Sequence, residues 1–285
     1  LRGQAMQFDM SKTWDRAVQL FSSNFQILAI IAGVFLLLPS IIMYIAVPEL
    51  ANLEAIMDPG GDPEKMMARL GEFYGSFAGW GLLTSAASFI GYSAMVALIG
   101  ENGITVGEAI MRGLKSIPTL IAVMILFFIA YMVAALVLFI PVGILAAVSE
   151  ALAAVLSVVA VIGILVMMVY LMARFSVTMP VIMLEKTYNP VTAMLRSWRL
   201  TGPRHWALMG FWLLLMVAYM VIALLVGGAI AAIAALASGS TGALIMGVMS
   251  GILGALVAML ISAIAVAIYQ QLAGSTPEAV SETFT

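Results

Sequence analysis

At 285 residues, with 64% of them hydrophobic, 9% charged and a mean hydropathy of +1.15, the chain lies far outside the composition of soluble globular proteins. That excludes an aqueous enzyme fold as its main body and points to bilayer spans of about 20 apolar residues each. Cysteine is absent, which excludes disulfides, thiolate metal sites and cysteine nucleophiles, and the formal net charge of −2 conceals a separation of signs along the chain.

The first predicted element is a short amphipathic helix in "SKTWDRAVQLFSSN" (11–24), where Trp14, Ala17, Val18 and Phe21 fall at i, i+3, i+4 and i+7. A first span follows at about 25–47. The 48–77 loop carries Glu49, Glu54, Asp58, Asp62, Glu64 and Glu72 against only Lys65 and Arg69, and "DPGGDP" (58–63) predicts a turn between two short helical stretches. After a second span at about 78–100, "TVGE" (105–108) is a capping box in which Thr105 and Glu108 satisfy free helix N–H groups reciprocally. It opens a second basic helix, "EAIMRGLKSIP" (108–118), with Arg112 and Lys115 and an apolar stripe interrupted by Gly107 and Gly113.

The third and fourth spans, about 117–140 and 151–184, flank a turn at Ser149 and Glu150 and read as a long hairpin, with Pro141 a kink or break. Within "YLMARFSVTMPVIMLEK", Arg174 has two readings. If the boundary is near Glu185, ten residues at about 1.5 Å each place it about 15 Å deep; it then marks a functional site or a buried group that meets Glu101, Glu185 or polar backbone opened near Pro180. If span four ends near Met172, residues 175–184 run along the interface and Arg174 snorkels to it.

A third basic helix lies in "TAMLRSWRLTGPRHW" (192–206), with Asn189–Pro190 suiting N-cap and first position. Val191, Met194, Leu195 and Trp198 form one apolar face, with Arg196 and Arg199 off it. It superimposes on the second basic helix, Ala109 on Ala193, Arg112 on Arg196, Leu114 on Trp198 and Lys115 on Arg199. His205, between Arg204 and Trp206 ahead of a fifth span at about 206–236, reads as an interfacial histidine or a proton-coupled group. A sixth span at about 243–270 leads to the acidic stretch "STPEAVSETFT" (275–285), which has no apolar periodicity and is expected to be disordered.

The expected fold is therefore all-α, a single polytopic membrane domain of six transmembrane helices. Three units, about 11–100, 104–184 and 188–270, each pair an amphipathic interfacial helix with a two-span hairpin. Ten of the twelve lysines and arginines fall on one side of these spans, which predicts cytoplasmic termini and an outward 48–77 loop. Cysteines introduced at Gly61 and Ser281 should accordingly label from opposite faces of the membrane; labelling of both from one face would overturn the six-span count.

The stretch "PVIMLEKTYNPVTAMLRSWRLTGPRHWALMG" (180–210), through Pro180, Glu185, Ala193, Ser197, Trp198, Leu200 and Trp206, resembles the bacterial glycerophosphoryl diester phosphodiesterase membrane-domain family and related six-span proteins. The resemblance implies a multi-pass bacterial inner-membrane protein. Hydrolysis needs clustered carboxylates and histidines, and this chain has one histidine, with no P-loop, dinucleotide fingerprint, zinc spacing or nucleophile elbow. The expectation is a non-enzymatic scaffold or accessory protein of envelope homeostasis, without cofactor, metal or nucleic acid. Its partners would be anionic lipid and possible membrane proteins, met by Arg112, Lys115, Arg196, Arg199, Arg204, Trp198 and His205. Two alternatives stand: the basic groups simply record topology, or the chain transports a lipid-like or small amphipathic solute, with Arg174, Glu185 and Glu101 as its intramembrane polar groups.

Overall fold

The computed structural model describes residues 8–47, 50, 63–237 and 240–274. Among these the regular structure is helical, with no strand, as expected where each backbone N–H and C=O has to be satisfied within its own segment. Helix α1 (Met10–Ser23) precedes a first span made of α2 (Phe25–Ala32), a π-helical turn (Gly33–Leu37) and α3 (Leu38–Ala46). Then come α4 (Pro63–Gly100), α5 (Val106–Ala146), α6 (Glu150–Phe175) and α7 (Thr178–Leu184). Helix α8 (Pro190–Thr201) leads through a 3-10 turn (Gly202–Arg204) into α9 (His205–Ala235), and α10 (Ser240–Ala273) follows. Six stretches are long and apolar enough to cross a membrane: 25–46, 66–100, 106–146, 150–184, 190–235 and 241–273. The chain divides into two compact units, one of residues 1–14, 118–217 and 265–285, the other of residues 15–117 and 218–264.

Some boundaries differ from the sequence expectation. Apart from Pro63, where α4 begins, "DPGGDP" lies outside the described residues, and so does 275–285. Helix α4 then runs unbroken for 38 residues, so the stretch from Pro63 onward is continuous with the second span. Pro118 and Pro141 lie inside α5 without ending it, and the basic stretch 108–118 is the beginning of that same 41-residue helix. The third basic helix does separate from its span, because Gly202–Pro203 tightens the chain into a 3-10 turn.

The N-termini of the three basic helices share one chemistry. Asp9 Oδ1 accepts from the Lys12 N–H at 3.0 Å, Thr105 Oγ1 from the Glu108 N–H at 3.3 Å and Asn189 Oδ1 from the Thr192 N–H at 3.1 Å, each three residues on. Four, eight and eleven residues after each cap stand Thr13, Ala17 and Leu20; Ala109, Gly113 and Ser116; and Ala193, Ser197 and Leu200, all nine buried. The face packed against protein is thus the small-residue face. Much of the predicted apolar stripe points elsewhere: Trp14, Val18, Val191 and Leu195 are exposed, while Ala17 belongs to the buried face. Small residues let helix backbones approach closely, while bulky apolar ones suit a lipid-facing side.

Candidate functional site

Pro180 has no N–H to continue an α-helix through the turn before it. The chain breaks at Ser176 and Val177, leaving Arg174 in the last turn of α6. The Arg174 carbonyl at that helix end accepts hydrogen bonds from Ser197 Oγ at 2.8 Å and Thr201 Oγ1 at 3.1 Å. Both hydroxyls come from the buried face of α8, so docking α8 also places Trp198 beside the arginine.

The guanidinium lies over the Trp198 ring, with Cζ 3.7 Å from the ring centroid, and 5.9 Å from that of Tyr170. Tyr170 meets Trp198 edge-on at 5.9 Å and His205 at 6.1 Å, while Phe175 lies 5.6 Å from Trp198. His205 Nδ1, 2.7 Å from the Gly202 carbonyl oxygen, carries the hydrogen of that contact. Glycine at 202 leaves room for the cation, since a Cβ there would stand 3.2 Å from Arg174 Nη1.

Arg174 is only 5% exposed. Its Nε is sealed and unbonded, as is Thr178 Oγ1. Within its own compact unit no carboxylate among the described residues pairs with it, which corrects the expected partnership with Glu185. Glu185 instead accepts from Arg196 Nε at 3.1 and 3.2 Å and from the Tyr269 hydroxyl at 3.0 Å. Glu101 accepts from both terminal nitrogens of Arg112, with Nη2 to Oε1 at 3.2 Å. Each ion pair spans eleven residues, and the two lie 84 positions apart, the offset that separates Thr105 from Asn189. In α7, just after Arg174, Thr178, Pro180, Val181, Ile182 and Met183 are buried against protein.

The predicted basic face therefore divides. Arg112 and Arg196 are pinned by their own glutamates, Trp198 is committed to Arg174 and His205 to Gly202, whereas Lys115 and Arg199 are exposed and Arg204 is partly so. Sequence reasoning missed Asp9, Thr13 and Gln271: Thr13 Oγ1 donates to Gln271 Oε1 at 2.7 Å, and Gln271 Nε2 donates to the Asp9 carbonyl at 3.4 Å. Asp9, ahead of the first amphipathic helix, is itself an N-cap signal. Nothing in the local sequence marks Tyr269 or Gln271 as partners of residues 84 and 258 positions away. Comparison with protein-family models, with curated proteins and with solved structures finds no match for the chain.

Proposed function

We propose that the chain is a non-enzymatic integral membrane protein of the bacterial inner membrane, with cytoplasmic termini. In this reading it is a scaffold or accessory protein that binds anionic lipid, a membrane-protein partner or both in envelope homeostasis. The observation that carries the reading is α8. Its small-residue face is buried, Val191 and Leu195 are 52% and 53% exposed, and Arg199 stands exposed off that apolar stripe. Such a helix suits the boundary between acyl chains and headgroups. The common spacing of cap and buried residues in three helices, with the Glu–Arg pair repeated in two of them, supports a chain built from three copies of one unit, in keeping with the resemblance to the six-span membrane-domain family.

The test uses the two exposed cations. Lys115→Gln with Arg199→Gln should weaken retention of anionic over zwitterionic lipid by about 2 kcal/mol, roughly thirtyfold, at about 1 kcal/mol per basic residue near the surface. The preference should also fade with salt. Arg196 is left intact, because its removal would break the Glu185 pair as well. Unchanged lipid selectivity by native mass spectrometry would leave the basic residues as markers of topology alone.

The buried Arg174 favours the second reading, a transporter or channel for an amphipathic solute, because an enclosed ionisable group in a membrane protein ordinarily belongs to a pathway or a binding site.

A further inference from the structure

Buried charges are normally paired, and Arg112 and Arg196 obey this rule. Arg112 and Arg196 remain partly accessible, yet each has its own glutamate. Arg174 is more deeply enclosed and has none among the described residues. The Trp198 face attracts the cation without neutralising it, and Nε is left without an acceptor. Gly202 keeps space beside Nη1 that any other side chain would narrow. A guanidinium offers planar, paired N–H groups suited to phosphate oxygens.

Trp198 has a second role. Together with Leu126, Phe175, Val191, Met194 and Leu195 it lines a groove of about 280 Å³ that contains no charged residue. The exposed Val191 and Leu195 form part of its wall, so the groove opens on the apolar side of α8. One indole thus touches both a cation lacking an anion and a hydrocarbon-sized groove.

We propose that Arg174 is the recognition point for the phosphate headgroup of an anionic lipid, one of whose acyl chains lies along the Trp198 groove. The inference rests on the lipid-binding reading and gives it a built site, separate from the diffuse surface attraction of Lys115 and Arg199.

The full chain purified in detergent would be exposed to phosphatidylglycerol and to phosphatidylcholine of the same acyl chains, and retention read by native mass spectrometry. One phosphatidylglycerol should survive activation that strips the other lipids. Arg174→Gln should weaken its retention at least about tenfold, the equivalent of one charge-assisted hydrogen bond. Gly202→Ala keeps the charge but crowds Nη1, and should weaken it in the same direction; it decides the matter if Arg174→Gln does not purify. Lys12→Gln, which removes an exposed cation outside both sites, should leave that lipid in place. Equal retention of the two lipids, wild-type retention by both site variants, or displacement of phosphatidylglycerol by inorganic phosphate alone would overturn the proposal. If Lys115→Gln with Arg199→Gln lowers anionic selectivity while Arg174→Gln and Gly202→Ala change nothing, this site fails and the broader lipid reading stands. Absence of any anionic preference in the wild type removes both.

Discussion

Gly91→Leu is expected to abolish the native packing of the first span on α4, seen as loss of the monodisperse species in detergent and of a cooperative thermal transition. A Cβ at position 91 would stand 2.6 Å from the Phe35 Cβ and 2.9 Å from Leu36 Cδ1. The Phe35 Cβ is fixed to the backbone of the π-helical turn and cannot swing aside as a flexible tip would. Overpacking a tight contact costs about 1–3 kcal/mol, and leucine places three further carbons where the first already does not fit. Gly75, also on α4, is the control, because nothing lies within 4 Å of a Cβ built there. Gly75→Leu should purify normally. A Gly91→Leu protein that melts at the wild-type temperature would mean that α4 does not meet the π turn as described.

The second large effect is expected from Glu185→Ala. This carboxylate holds Arg196 and Tyr269 at once, so its loss strips two partly enclosed groups of their partner and loosens α8 from α10. Hydrogen bonds to charged groups contribute about 1.5–3 kcal/mol each when enclosed. The pair here is 24–30% exposed, and with allowance for screening the expected loss is about 2–3 kcal/mol. Glu101→Ala removes the Arg112 pair at a more exposed position, 36% for the glutamate, and should cost about 1 kcal/mol or less. Melting temperatures of the two variants should therefore fall unequally, with Glu185→Ala lower. Equal shifts, or a larger one for Glu101→Ala, would remove Tyr269 as the difference between the sites.

How much of this was legible in the residues depended on the range of the interaction concerned. Span number followed from hydropathy, since each apolar run is a property of its own segment, and the caps at Thr105 and Asn189 followed from side chains acting three residues away. Which face of each basic helix meets protein was not legible in the residues. An apolar stripe does not by itself say whether it meets protein or lipid, and in α8 Ala193, Ser197 and Thr201 are buried while Leu195 is exposed. Arg174 was recognised as exceptional from its apolar surroundings. Its contact with Trp198 was not legible, because a tryptophan beside arginines carries the same local signature whether or not it covers a buried cation. The helix break at Ser176 follows from Pro180, yet Pro118 and Pro141 interrupt nothing; proline fixes what its own turn lacks, while the surrounding packing decides whether the chain bends, widens or separates there.

Pro39 shows the widening outcome. Its ring meets the carbonyl four residues back, that of Phe35, and its nitrogen offers that carbonyl no hydrogen, and the helix accommodates both by opening into the π turn at Gly33–Leu37. One residue more than an α-turn holds is taken up there, so everything after it is rotated by about 100° relative to α2. That rotation presents Ser40 to Gly251 and Tyr44 to Gly247, where built Cβ atoms would come within 3.3 Å and 3.1 Å of the Ser40 and Tyr44 Cβ atoms. The first span is in effect two helical wheels on one shaft, set out of phase. A single wheel drawn through residues 25–46 assigns the wrong stripe to one half, and the chain tolerates the mismatch because a proline serves as the coupling between them.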